Sequence, residues 1–167
     1  MKTRIISFLT LSVFSLLIVS CNKDGRKVPV QILLTDNPTN YDAVNIHIKG
    51  MEVKVNNETW IAIEAKDTTV NLLDLQNGVT ELIAQDEIPE GILKEVRFIL
   101  DTDNTVEVNG ATYPLETPSA GASGLKIKID QTLNESLNTF ILDFDAALSV
   151  KEENGSYKLY PVIKVKS

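Results

Sequence analysis

The chain has 167 residues, with 16 Lys and Arg against 23 Asp and Glu, and a single histidine, cysteine and tryptophan. That length suits one domain, and a formal charge of −7 without a basic stripe leaves out the counter-charge that nucleic acids require. One cysteine can close no internal disulfide, so the fold must rest on core packing.

Lys2 and Arg4 precede an apolar run from Ile5 to Val19, which is too short and too soon followed by polar sequence for a comfortable bilayer span. A basic start, an apolar stretch and then small residues describe an export signal. Ile18-Val19-Ser20-Cys21 resembles the bacterial lipobox, in which the cysteine sulfur is lipidated before the signal is cut off. Residues 1–20 therefore read as a cleaved lipoprotein signal peptide, Cys21 as the lipid attachment site, 21–27 as the lipidated cysteine with a short polar tether, and 28–167 as the folded domain. One acyl chain holds a protein only marginally, whereas the two or more on a lipoprotein cysteine anchor it stably. Asn22 stands where an aspartate would retain a lipoprotein in the inner membrane, which favours the outer membrane of a Gram-negative cell, on its periplasmic or its surface side. Loss of Lys2 and Arg4 with the signal leaves fourteen basic residues against 23 acidic ones, a formal charge of −9. Anionic head groups would repel such a domain, so the lipid alone is expected to supply its membrane contact.

From Val28 onward apolar residues recur with period two and turn residues every eight to twelve positions. The fold class expected is all-β, a single antiparallel β-sandwich of immunoglobulin-like or prealbumin-like kind. Val44, Ile46 and Ile48 alternate with Asn45, His47 and Lys49, and past Gly50 the phase shifts to Met51, Val53 and Val55, which predicts a β-bulge at Lys49-Gly50. Asn56-Asn57 then turns the chain into a strand over Trp60 to Glu64. Leu75, Val79, Leu82 and Ile83 have helical spacing and predict one short helix near residues 76–85, ahead of Pro89-Glu90-Gly91. Further strands are read from Val96-Phe98-Leu100, Leu125-Ile127-Ile129 and Phe140-Leu142-Phe144. Asn109-Gly110 and Asn154-Gly155 suit tight turns with positive φ, and predict hairpins that join Thr105-Val108 to Ala111-Leu115 and Leu148-Lys151 to Tyr157-Val165.

Several phrases carry a family resemblance: Leu33-Leu34-Thr35-Asp36-Asn37-Pro38 with Tyr41 to Val44, Val70-Asn71-Leu72-Leu73-Asp74-Leu75 with Asn77-Gly78, and Gly91 with Val96 to Asp101. They continue with Gly110 to Leu115, Pro118-Ser119 leading to Ser123 to Ile127, Leu142-Asp143-Phe144-Asp145-Ala146 with Ser149-Val150, and Tyr157 to Val165. In order and spacing the sequence resembles the exported bacterial and archaeal proteins known as domain of unknown function 4382, over about residues 29 to 165. The resemblance implies a sandwich-like β domain, often on lipoproteins, and no assigned activity.

Asp143 and Asp145 fall on one face of a strand while Phe140, Leu142 and Phe144 take the other. Carboxylates that close repel, so they require hydration, cross-strand cations such as Arg97, Lys126 or Lys128, or a bound ion. Asp143, Asp145 and Arg97 are therefore candidate ligand-binding residues, read as a polar network. Trp60 is the fourth candidate, because Ile61 and Ile63 claim the opposite face and leave the indole as a possible stacking platform. His47 should point to solvent. Asp101-Thr102-Asp103-Asn104 lacks the glycine and glutamate of a helical calcium hand and reads as a polar turn, and Asp36-Asn37-Pro38 as a strand-ending turn whose aspartate caps nearby amides.

No nucleophile elbow, phosphate loop, dinucleotide fingerprint or paired-cysteine zinc motif is present, so no catalytic residue, cofactor or metal is assigned. The function expected is that of a non-enzymatic envelope lipoprotein, a binding or adhesion module for a glycan or an envelope protein. An assembly component that pairs through an edge strand, hinted at by Pro161, is the alternative, and a hydrolase using Asp143 with Asp101 or Asp145 a further one.

Overall fold

The computed structural model describes residues 25–118 and 124–166. Cys21, residues 1–20 that read as a signal peptide and residues 22–24 of the expected tether lie outside the described residues, as do residues 119–123 after Pro118. The strands are β1 (Lys27–Thr35), β2 (Ala43–Val55), β3 (Ile61–Ile63), β4 (Thr68–Asn71), β5 (Glu81–Pro89), β6 (Ile92–Leu100), β7 (Thr105–Val108), β8 (Ala111–Glu116), β9 (Leu125–Thr132), β10 (Asn138–Phe144), β11 (Val150–Glu153), β12 (Ser156–Leu159) and β13 (Ile163–Lys166). A 3-10 turn spans Leu72–Leu75, and one helical turn, α1, spans Ala146–Ser149.

Two sheets face each other. The smaller has the order β13-β10-β1-β5; the larger runs β11-β12-β8-β7-β2-β6-β9, with β3 and β4 along the other edge of β2. Alternation on the long strands builds the core: Val28, Val30, Ile32 and Leu34 from β1 meet Val44, Ile46, Ile48, Met51, Val53 and Val55 from β2, with Val96, Phe98, Phe140, Leu142 and Phe144. Each such side chain contributes about 1.5–3 kcal/mol on burial.

The phase change inside β2 is a register shift against β6 between Ile48 and Gly50, the expected bulge. Asn109-Gly110 and Asn154-Gly155 are turns with positive φ at both residues, joining β7 to β8 and β11 to β12. The sandwich is mixed rather than purely antiparallel, because β1 pairs with β10 and β12 with β8 in parallel. The helix expected near 76–85 is not formed: Glu81–Pro89 is strand β5. Ala84 bridges to Ala65, the Lys66 amide donates to the Ile83 carbonyl and the Gln85 amide to that of Glu64, so the free edge of β5 is occupied. Ile83 and Ala84 are therefore both buried, which breaks the alternation and imitates helical spacing. The strand read as Tyr157 to Val165 is divided at Pro161, where the chain crosses from one sheet to the other.

β1 and β10 run from one end of the sandwich to the other. Lys27 to Thr35 covers roughly 27 Å at about 3.3 Å per residue, so the start of the domain and the loops beyond Thr35 lie at opposite ends. Among the described residues no helix is long and apolar enough to cross a membrane.

Candidate functional site

The parallel register sets Thr35 opposite Asp143 and carries the two chains on together, so that Asp36 and Asn37 meet Asp145 and Ala146. Asp36, Asp143 and Asp145 are all buried, with relative exposures of 2%, 5% and 8%. The Asn37 Nδ2 amide lies between two carboxylates, 3.1 Å from Asp143 Oδ2 and 3.4 Å from Asp145 Oδ2. Lys166 Nζ reaches Asp143 Oδ2 at 3.4 Å from the edge strand β13. Asp36 Oδ1 accepts from the Ala146 amide at 2.9 Å, and Asp145 Oδ1 caps α1 by accepting from the Leu148 amide at 3.0 Å. Thr35 Oγ1 lies 3.0 Å from the Leu75 carbonyl and 2.8 Å from that of Val79, which ties the loop after the 3-10 turn into the same knot.

Asp36 Oδ2 and Asp143 Oδ1 are buried without a hydrogen-bond partner among the described residues. Burial raises the Asp36 carboxyl from 3.8 to about 6, opposed by the amides of Ala146 and Asn37 and by the Gln76 side chain, and reinforced slightly by the Asp145 charge. Among the described residues no group of three His, Cys, Asp or Glu side chains could hold a metal ion. The arrangement is a carboxylate knot that fixes three loops at one end of the sandwich. Val79 and Leu148, both on these loops, are 50% and 52% exposed, the most exposed large hydrophobic residues among those described.

Asp143 and Asp145 are thus brought together, but not on a solvated face. β10 ends at Phe144, and Asp145 leaves the strand to cap α1. Arg97 does not join them. It lies on β6 in the other sheet, on the face turned away from Val96 and Phe98, and pairs with Glu52. Asn37 and Lys166 do the screening expected of it. Asp36 was expected to cap nearby amides; its main partner is the amide of Ala146, reached only through the parallel pairing of β1 with β10.

Arg97 belongs instead to a second constellation with Trp60. Its guanidinium carbon stands 4.4 Å from the indole centroid, with Lys54 Nζ at 5.7 Å and Lys126 Nζ at 5.9 Å. Trp60 is half-buried beneath these cations rather than an open platform. Beside it Asn57, Lys94, Glu95, Lys126, Lys128 and Asp130 line a shallow depression of about 480 Å³. Asp130 accepts from Lys94 at 3.1 Å and Lys128 at 2.9 Å, whereas Lys126, among the described residues, has Trp60 as its neighbour and no carboxylate.

His47 is clamped rather than loose in solvent. Nδ1 lies 2.7 Å from Asp103 and Nε2 2.7 Å from Asp67. The chain between β3 and β4 and the chain between β6 and β7 flank β2 on its two sides, and each brings one carboxylate to the ring. These bonds, Asp67 first and Asp103 second, raise the imidazole above its ordinary value.

No curated protein and no solved structure matches the chain. A family model described as domain of unknown function DUF4382 matches residues 27–161, a span that holds the carboxylate knot, the Trp60 cluster and the clamped histidine. On that match over most of its length, the chain belongs to the DUF4382 family.

Proposed function

We propose that this protein is an envelope lipoprotein, anchored through Cys21 in the outer membrane, that acts without catalysis as a binding module for another envelope protein. The observation that carries the reading is the position of the carboxylate knot. Thr35, Asp36, Asp143 and Asp145 brace the end of the sandwich opposite the tether, and that end presents Val79, on the loop held by Thr35, and Leu148, on the turn capped by Asp145, to solvent. Exposed apolar side chains on braced loops are what a protein partner buries, and preorganised loops lose little entropy on binding.

The test is a photo-crosslinking residue placed at Val79 or Leu148 of the full lipoprotein in cells, with Glu135 at the tether end as the reference position. Discrete adducts from 79 and 148, absent from 135 and lost when Asp36→Ala loosens the knot, support the reading. Adducts from none of these positions count against it.

The cations over Trp60 favour a second reading, recognition of an acidic glycan through Lys126 and the neighbouring lysines. A glycan array probed with residues 28–167 and with Lys126→Glu separates the two, since only the glycan reading predicts a saturable signal that this variant loses.

A further inference from the structure

We infer that the tethered end of the sandwich is itself a membrane-contacting surface, with Ile92 and Leu137 seated in the head-group region of a zwitterionic leaflet. The inference rests on the reading of Cys21 as the lipidated residue. At about 3.3 to 3.6 Å per residue, the five steps from Cys21 to Arg26 can span at most roughly 18 Å. Whatever lies around Arg26 is therefore held within a short distance of the bilayer.

Two loops lie there. The Glu90 amide donates to the Arg26 carbonyl at 2.9 Å, and the Arg26 side chain pairs with Glu90 and with Glu135. The turn between β5 and β6 and the connection between β9 and β10 are thereby fastened to Arg26, just ahead of β1, and the Leu133 amide joins them by donating to the Gly91 carbonyl at 2.8 Å. Ile92 follows Gly91 and is 37% exposed; Leu137 precedes β10 and is 47% exposed. Asn138 braces the second loop, its amide donating to the carbonyls of Pro29, Asn134 and Ser136. Both apolar side chains thus stand on stiff supports at the end that the tether holds down.

Charge decides the kind of leaflet. Glu58, Glu90, Glu135 and Asp130 stand around these loops against Arg26, Lys27, Lys94 and Lys128, a balance of charge that gives no net attraction to anionic lipid. Two apolar side chains would bind a bilayer weakly from solution. The lipid anchor has already removed most of the entropic cost of approach, so a weak contact suffices to orient the domain. The consequence is an upright sandwich that presents Val79 and Leu148 away from the membrane.

The single native cysteine is consumed by the anchor, so a second one can be labelled cleanly. Full-length lipoprotein is purified as Leu137→Cys, Ile92→Cys or Leu148→Cys, labelled with an environment-sensitive fluorophore, and reconstituted in phosphatidylcholine vesicles. The expected result is quenching by an aqueous quencher several-fold weaker at 92 and 137 than at 148, unchanged when a fifth of the lipid is anionic. Equal quenching at all three positions in protein that floats with the vesicles overturns the docking while leaving the anchor intact. Protein that lacks the acyl mass and does not float overturns the anchor reading, and the docking with it. Protection of 137 that appears without vesicles and grows with protein concentration makes the occupant a second copy, and equally overturns the membrane assignment.

Discussion

Asp36 and Ala146 stand 110 residues apart in the chain and are joined by a 2.9 Å hydrogen bond from the Ala146 amide to the Asp36 carboxylate. The bond locks the end of β1 to the start of α1, yet it satisfies only one oxygen of a carboxylate that burial disfavours in its charged form. Because the folded-state value, about 6, is above the ordinary 3.8, the native protein binds this proton more tightly than the unfolded chain does.

Stability attributable to Asp36 is therefore greatest below pH 3.8 and falls as pH rises toward 6, by an amount on the order of 2 to 3 kcal/mol at about 1.4 kcal/mol per pH unit. Asn at this position keeps an acceptor for the Ala146 amide and carries no charge. Asp36→Asn should accordingly be at least as stable as the parent at pH 7, with a flatter slope of stability against pH between 4 and 6. Urea midpoints at pH 4.5 and 7 measure both, and an unchanged slope would show that the charge is not held at a cost.

His47 gives a slope of the same sign from a different cause. With its value raised by Asp67 and Asp103, it contributes stability that is fully present below 6.5 and is lost as pH rises through the folded-state value. His47→Gln should destabilise the protein more at pH 5.5 than at pH 8.5. Proton NMR of the single histidine should give a titration midpoint above 6.5, lowered by Asp67→Asn and by Asp103→Asn separately.

Asp145 serves as the N-cap of α1 through its bond to the Leu148 amide. Asp145→Ala should cost about 1 kcal/mol, and Asp145→Asn, another good capping residue, much less. Thermal unfolding of the two variants checks the order. Equal losses would place the contribution of Asp145 in its charge rather than in the cap.

How much of this was legible follows from the range of each signal. The turns at Asn109-Gly110 and Asn154-Gly155 and the bulge at Gly50 depend on neighbouring residues alone, and were readable. The carboxylate knot depends on pairing Thr35 with Asp143, and nothing local in either phrase specifies a partner so distant. Alternation placed Asp143 correctly on the face opposite Leu142, but it carried Asp145 along a strand that ends at Phe144. At β5 the pattern misled because Ala84 buries itself against Ala65, a contact from outside its own sheet. Pairing Arg97 with the aspartates assumed one continuous face, whereas β6 and β10 lie in different sheets.

Arg97 and Trp60 offer a last measurement, because the indole is the only tryptophan and reports its surroundings directly. The guanidinium at 4.4 Å, held from behind by Glu52, should couple to Trp60 by about 0.5–1 kcal/mol in a double-mutant cycle with Arg97→Met and Trp60→Leu. Gly124, the residue directly before β9, controls the same contact. Its φ is +63°, and a Cβ there would lie 2.7 Å from the Phe98 carbonyl oxygen and 2.8 Å from Arg97 Cγ. Gly124→Ala must then strain its own backbone by about 1–2 kcal/mol and push Arg97 aside. The expected signature is a shift in tryptophan emission together with lower stability. Loss of stability without an emission shift would mean that Arg97 keeps its place over the ring and that the strain is taken up in the chain leading into β9.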